Sequence, residues 1–146
     1  MKPIALLKIG MVSAVAAVLS TSGDTIADSL GIVSPSSKLQ SCGSGAPPGC
    51  QHVLLQGDPK TGVSQHIYHL PAGFPFAKHW HDSSEYLVVT KGSLRIAADG
   101  HADTTLNVGD YVHVPAKVVH WGACTTECEF YLMYDGPETY NVVEKN

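Results

Sequence analysis

The sequence predicts an all-β domain, a sandwich or closed barrel, and three observations carry that expectation. Short runs rich in Val, Ile, Thr, Tyr and Phe recur from His52 onward, with the composition of half-buried strands. Turn residues separate them: Gly57-Asp58-Pro59, Pro71-Ala72-Gly73, Lys91-Gly92, Asp99-Gly100, Gly109-Asp110 and Asp135-Gly136-Pro137. Apolar residues in this region do not recur at helical spacing, and there is no internal repeat of fixed period. Many short strands joined by such turns form sandwiches or barrels, which can enclose a ligand cavity.

The first segment stands apart from that fold. Lys2 and Lys8 form a basic start, Ile9 to Leu19 is apolar except for Gly10 and Ser13, and small and polar residues follow from Ser20 to Ser29. This is the layout of a secretory signal peptide over residues 1–27, cleaved after Ala27, with Ser22 as the rival site. The apolar stretch is too short to span a bilayer, so a retained N-terminal anchor is the weaker reading. Residues 28–51 form a Ser/Gly/Pro-rich lead-in, and residues 52–146 the β domain. Within it the strand expectations are Val53–Gln56, Val63–Leu70, Phe76–His81, Glu85–Thr90, Ser93–Ala97 and Thr104–Val108. Tyr111–Val114, Val118–Ala123, Glu129–Tyr134 and Tyr140–Val143 follow.

Without residues 1–27, 7 basic and 12 acidic residues remain, a net charge of −5 with His neutral. There is no basic stripe, so no nucleic-acid partner is expected. An anionic membrane surface is an equally poor partner once the leader is gone. Four Cys in an exported chain point to disulfides. Cys42 and Cys50 flank a Gly/Pro loop, and Cys124 and Cys128 flank a hairpin tip, which favours the two local pairs. The other two connectivities stay open, as does a thiolate-bound metal.

The histidines carry the chemistry. Residues i and i+2 of a strand share a face, so His79 and His81 point the same way, and Glu85 keeps that parity. His120 lies in the strand-like run 117–121 and joins them only if the sheet brings distant strands together, as a barrel does. Three imidazoles and one carboxylate suit a divalent Mn, Fe, Ni, Cu or Zn. A His-x-His alone would be read as a polar, solvent-facing strand.

At these residues the chain resembles the cupins. Gly73-x5-His79-x-His81-x3-Glu85-x6-Gly92 matches the first cupin motif at every fixed position. Gly109-x5-Pro115 and His120 match part of the second, and the likeness covers roughly residues 63–134. The resemblance implies a double-stranded, jelly-roll-like β-barrel with His79, His81, Glu85 and His120 as metal ligands, and a homodimer paired through its sheets. It also implies dioxygenase, decarboxylase or isomerase chemistry on a small organic molecule. The alternative is a non-catalytic module binding a metal or small ligand. No catalytic residue beyond the ligands stands out, and no organic cofactor is expected. Two positions depart from the pattern: Lys117 stands where it has Gly, and Cys124 where it has Asn. If that turn needs positive φ, Lys costs about 1 kcal/mol there.

Other residues read more plainly. His66 and His69 are expected at the surface, with orientation of a metal ligand as the second reading. Phe74, Phe76, Trp80, Tyr86 and Trp121 are expected to pack the sheets rather than line a cavity. Arg95, the only arginine, is expected in solvent, with a carboxylate clamp as the alternative. For Tyr111–Val114, whether the Tyr111/His113 or the Val112/Val114 face turns inward stays open.

Overall fold

Alternation of inward and outward residues sorts the strands into two layers. In the computed structural model, which describes residues 34–35, 38–43 and 46–144, eleven strands occur and no α-helix is present among the described residues. The expected signal peptide and its cleavage site lie outside the described residues. The strands are β1 (Gln40–Ser41), β2 (Gln51–Gly57), β3 (Ser64–Leu70), β4 (Pro75–Trp80), β5 (Glu85–Lys91) and β6 (Ser93–Ala98). They continue with β7 (Thr104–Asn107), β8 (Tyr111–Val114), β9 (His120–Cys124), β10 (Cys128–Tyr134) and β11 (Asn141–Val142).

A six-stranded sheet runs β1-β2-β3-β10-β5-β8, and a five-stranded sheet runs β11-β4-β9-β6-β7. Neighbouring strands in both are antiparallel. In β10, Cys128, Phe130, Leu132 and Tyr134 are buried, while the residues between them are only partly so. β5 buries Glu85, Leu87 and Val89 in the same way. The core therefore lies between the inner faces, where Leu70, Leu87, Val89, Leu94, Phe130 and Leu132 cluster. Val114 is buried and Val112 packs on this core, whereas Tyr111 is exposed and His113 stacks on Tyr86. The valine face of β8 is the inner one.

Both local disulfides are formed, Cys42–Cys50 and Cys124–Cys128, and no free cysteine occurs among the described residues. The end of the lead-in is thereby built into the sheet: β1 pairs with β2, and Cys42 N–H donates to Cys50 O at 3.2 Å.

Among the strand boundaries that differ from the sequence expectation, two bear on the site. β4 ends at Trp80, so His81 lies beyond it, and the chain turns through 82–84 before Glu85 opens β5 in the other sheet. The trio is thus joined across a corner between layers, not by parity along one strand. Ser83 Oγ donates to Pro137 O and Ser84 N–H to Asp135 Oδ1, each at 2.8 Å, which fixes that corner. β9 begins at His120 instead of Val118, because the chain turns sharply after Pro115.

In that turn Lys117 adopts φ 68°, the only positive φ of a non-glycine among the described residues. The strain is set against two contacts: Lys117 Nζ bonds Asp82 Oδ1 and lies 4.2 Å from the Trp80 ring centre. Each such surface contact contributes at most about 1 kcal/mol. Lys117→Ala keeps the strain and loses both contacts, while Lys117→Gly loses the contacts but relieves the strain. The glycine variant should therefore be about 1 kcal/mol more stable than the alanine variant in urea unfolding. Equal stabilities would mean the turn is unstrained.

Candidate metal centre

His79 on β4 and His120 on β9 are direct cross-strand partners, His81 follows the end of β4, and Glu85 opens β5. All four are buried, and one donor atom from each lies within 4.8 Å of the other three. His79 Nδ1 donates to Ala77 O at 2.6 Å, His120 Nδ1 to Val118 O at 3.0 Å, and His81 Nδ1 to Thr139 O. A carbonyl only accepts, so each Nδ1 carries the proton and each neutral ring turns an Nε2 lone pair inward.

Those inward atoms crowd one point. His79 Nε2 and His81 Nε2 are 3.1 Å apart, and Glu85 Oε2 lies 3.0 Å from His81 Nε2 and 3.3 Å from His120 Nε2. Three lone pairs and a carboxylate facing one another in a buried space repel unless a proton or a cation lies between them. Outward Nδ1–H bonds to carbonyls are how metal-ligating histidines are oriented. The residues fit a divalent transition metal.

The charges are arranged accordingly. Burial pushes the Glu85 carboxyl up, but the His120 and His81 rings, which donate from Nε2 when they take up a second proton, more than offset this and hold it at about 2. Burial drives His79 down to about 4, against the pull of the Ala77 carbonyl. His81 is depressed by burial too, yet the Glu85 carboxylate raises it overall.

The family described as "Cupin domain" matches residues 66–134. The fold is similar to that of an RmlC-like cupin from Shewanella frigidimarina, with TM-score 0.58 and 21% identity over 68% of this chain and 83% of that one. Residues 66–134 form a cupin domain.

Further likenesses span different chemistries. DMSP lyase DddQ from Ruegeria pomeroyi matches with TM-score 0.54 and 19% identity over 60% of this chain and 47% of that one. Salicylate 1,2-dioxygenase from Pseudoaminobacter salicylatoxidans matches with TM-score 0.54 and 22% identity over 61% of this chain and 25% of that one. At these identities the likeness is one of fold. No curated protein matches the sequence.

Beyond β10 the chain continues into a strap over residues 135–143, of which the sequence predicts only the strand Tyr140–Val143, observed as β11. Thr139 supplies the carbonyl that holds His81, and its Oγ1 accepts the Asp82 N–H at 2.8 Å. The Tyr140 ring stacks on His79, with centres 3.9 Å apart. Glu138 donates its N–H to Pro59 O at 2.7 Å and accepts from Tyr68 Oη at 3.3 Å.

A cavity of about 580 Å³ adjoins the four ligands. Phe74, Phe76 and Trp121 line it, contrary to the expectation that they only pack the sheets. Their strands form one wall of the barrel, so the same rings do both. Cys42, Ala46 and Pro47 of the lead-in line it as well. Arg95 pairs with Asp103 outside the lining, Lys78 pairs with Asp99 and Lys117 with Asp82, so none of the three reaches the cavity.

His66 corrects another expectation. It is 1% exposed, not at the surface, because Ser64, His66 and Leu70 form the inward face of a strand enclosed by β2 and β10. Neither ring nitrogen has a hydrogen bond among the described residues. His52, Tyr68 and Tyr134 pack around the ring, and Glu138 Oε2 lies 3.6 Å from Nε2. Burial, helped by His52, lowers its pKa from 6.5 to about 4.

Between those values the unfolded chain binds more protons than the folded one. Stability is therefore present above pH 6.5 and lost as pH falls towards 4. Between pH 7 and 4.5 the loss from this group should be roughly 2–3 kcal/mol. His66→Phe should remove that part of the slope in urea unfolding. An equal fall in both proteins would assign the acid lability elsewhere.

Proposed function

We propose that this protein is an exported metalloprotein that holds a divalent Mn, Fe, Ni, Cu or Zn through His79, His81, Glu85 and His120. We further propose that it acts on a small organic molecule in the adjoining cavity. The observation that carries the reading is the convergence of three Nε2 atoms and a carboxylate, each imidazole locked by an outward Nδ1–H bond. A bound metal would polarise an oxygen of the substrate and, if redox-active, transfer electrons. The protein fixes the ligand rings, shields the site beneath the strap and holds the apolar part of the substrate. The reaction type is that of a dioxygenase, decarboxylase or isomerase. The fold is shared with a dioxygenase and a lyase, which supports the breadth of this reading without choosing within it.

Export rests on the leader-like residues 1–27 and is supported by two disulfides, which persist in oxidising compartments, periplasmic or extracellular. The mature chain then comprises the lead-in 28–51 and the barrel 52–146, has no nucleic-acid or membrane partner, and forms a homodimer through its sheets.

Elemental analysis of protein taken from its native compartment tests the reading. One equivalent of a transition metal per chain is the expected result; iron, copper or manganese favours redox chemistry, and zinc favours lytic chemistry. A chain that stays metal-free after incubation with each of the five ions overturns it. Saturable binding without product would move the assignment to a ligand-binding module.

A further inference from the structure

We propose that Glu138 recognises a hydrogen-bond donor on the cavity's ligand, which is a largely apolar, ring-sized molecule bearing a hydroxyl group and no carboxylate at that end. The inference rests on the reading of the cavity as a ligand site, and it concerns the side of the cavity formed by the strap. Aliphatic and aromatic side chains make up most of the wall, and no Lys or Arg lines it. Apart from the four ligands and Trp121, its polar side chains are Tyr68, Tyr134, Tyr140 and Glu138. An anionic group beside Glu138 would meet a carboxylate and neither Lys nor Arg. A volume of about 580 Å³ accommodates a ring-bearing molecule.

Glu138 is held in place before any ligand arrives. Its own N–H is bonded to Pro59, the carbonyl of Pro137 accepts from Ser83, and Thr139 on its other side is bonded to Asp82 and His81. Its Oε1 takes the Tyr68 hydroxyl, while Oε2 has no hydrogen bond from the described residues and lies 3.6 Å from the unbonded His66 Nε2. A carboxylate oxygen with unspent lone pairs beside an apolar cavity gains most from a donor brought by the ligand. Burial raises the Glu138 carboxyl above its ordinary range, which makes the carboxylate a stronger acceptor. The residue lies beyond the stretch 66–134 that matches the family, so the recognition belongs to this chain's own strap.

The test is isothermal titration of the full chain, metal-free after chelation, with 2-naphthol, 2-methoxynaphthalene and 2-naphthoate. A hydrogen bond to a partly buried carboxylate makes the naphthol bind roughly tenfold more tightly than its methyl ether, and the naphthoate more weakly than the naphthol. Glu138→Leu should bring naphthol and ether within about threefold of each other by removing the acceptor, with the ether's affinity retained. Naphthol and ether binding alike in the wild type, no binding of naphthol at all, or a ratio that survives Glu138→Leu would each overturn the proposal. Should the leucine variant fail to fold, Glu138→Gln, isosteric and uncharged, must lower the ratio instead. A parallel zinc titration separates the two readings. Discrimination without zinc binding defeats the metal centre alone, and zinc binding without discrimination defeats this proposal alone.

Discussion

Substituting Ala for His81 should lower the affinity for a divalent transition metal at least a hundredfold while the barrel stays folded. Changing an outer hydrogen-bond partner of a ligand typically costs about 10–100-fold, and here the donor atom itself is lost. The vacancy also takes from Glu85 the closer of its two imidazole partners, at 3.0 Å against 3.3 Å for His120. The barrel should survive because His81 lies past the end of β4 and contributes to neither ladder. Titration calorimetry with zinc measures the affinity, and circular dichroism checks the fold. Thermal unfolding gives an independent reading. A metal at a thousand times its Kd adds about 4 kcal/mol to stability, so zinc should raise the Tm of the wild type and leave His81→Ala unmoved. An affinity within tenfold of the wild type would remove His81 from the ligand set.

How much of this was legible in the chain differs between barrel and strap. The all-β architecture could be read because inward and outward residues alternate on β5 and β10 and Gly-rich turns mark the ends. The four candidate ligands could be nominated from residue type and spacing, and the antiparallel register of β4 with β9 is what makes His79 and His120 neighbours. The parity argument brought Glu85 and His81 together for the wrong reason, since a corner between sheets intervenes. His66 was misplaced because a lone histidine in a strand carries no sign of which face is inward. Of the strap only the strand Tyr140–Val143 was expected, and its contacts with the site were not. Thr139 acts through a backbone carbonyl, which no side chain advertises, and Glu138 and Tyr140 reach the site only because β11 pairs with β4.

Gly122→Ala should cost more stability than any other single methyl group added on the five-stranded sheet. Gly122 lies in β9, facing Ile96 of β6 and Phe76 of β4. A Cβ there would stand 2.0 Å from the Arg95 carbonyl oxygen and 3.1 Å from its carbon. Both are backbone atoms, so no side chain can swing aside. The strands must separate and give up ladder hydrogen bonds, a loss of roughly 3–5 kcal/mol by the scale of severe overpacking and broken pairing. Gly100→Ala provides the control. Its φ is +79° but no atom lies within 4 Å of the added methyl, so only the backbone conformation is penalised, by about 1 kcal/mol. The two variants should also differ in function. His120 sits two residues before Gly122 on the same face of β9, so any displacement that relieves the clash draws its Nε2 away from Glu85. Gly122→Ala should therefore weaken zinc binding as well as stability, whereas Gly100→Ala should lower stability alone. Urea unfolding and zinc titration of the pair decide the matter. A loss below about 1 kcal/mol for Gly122→Ala would mean that β6 and β9 part easily and that their close approach does not hold His120 in place.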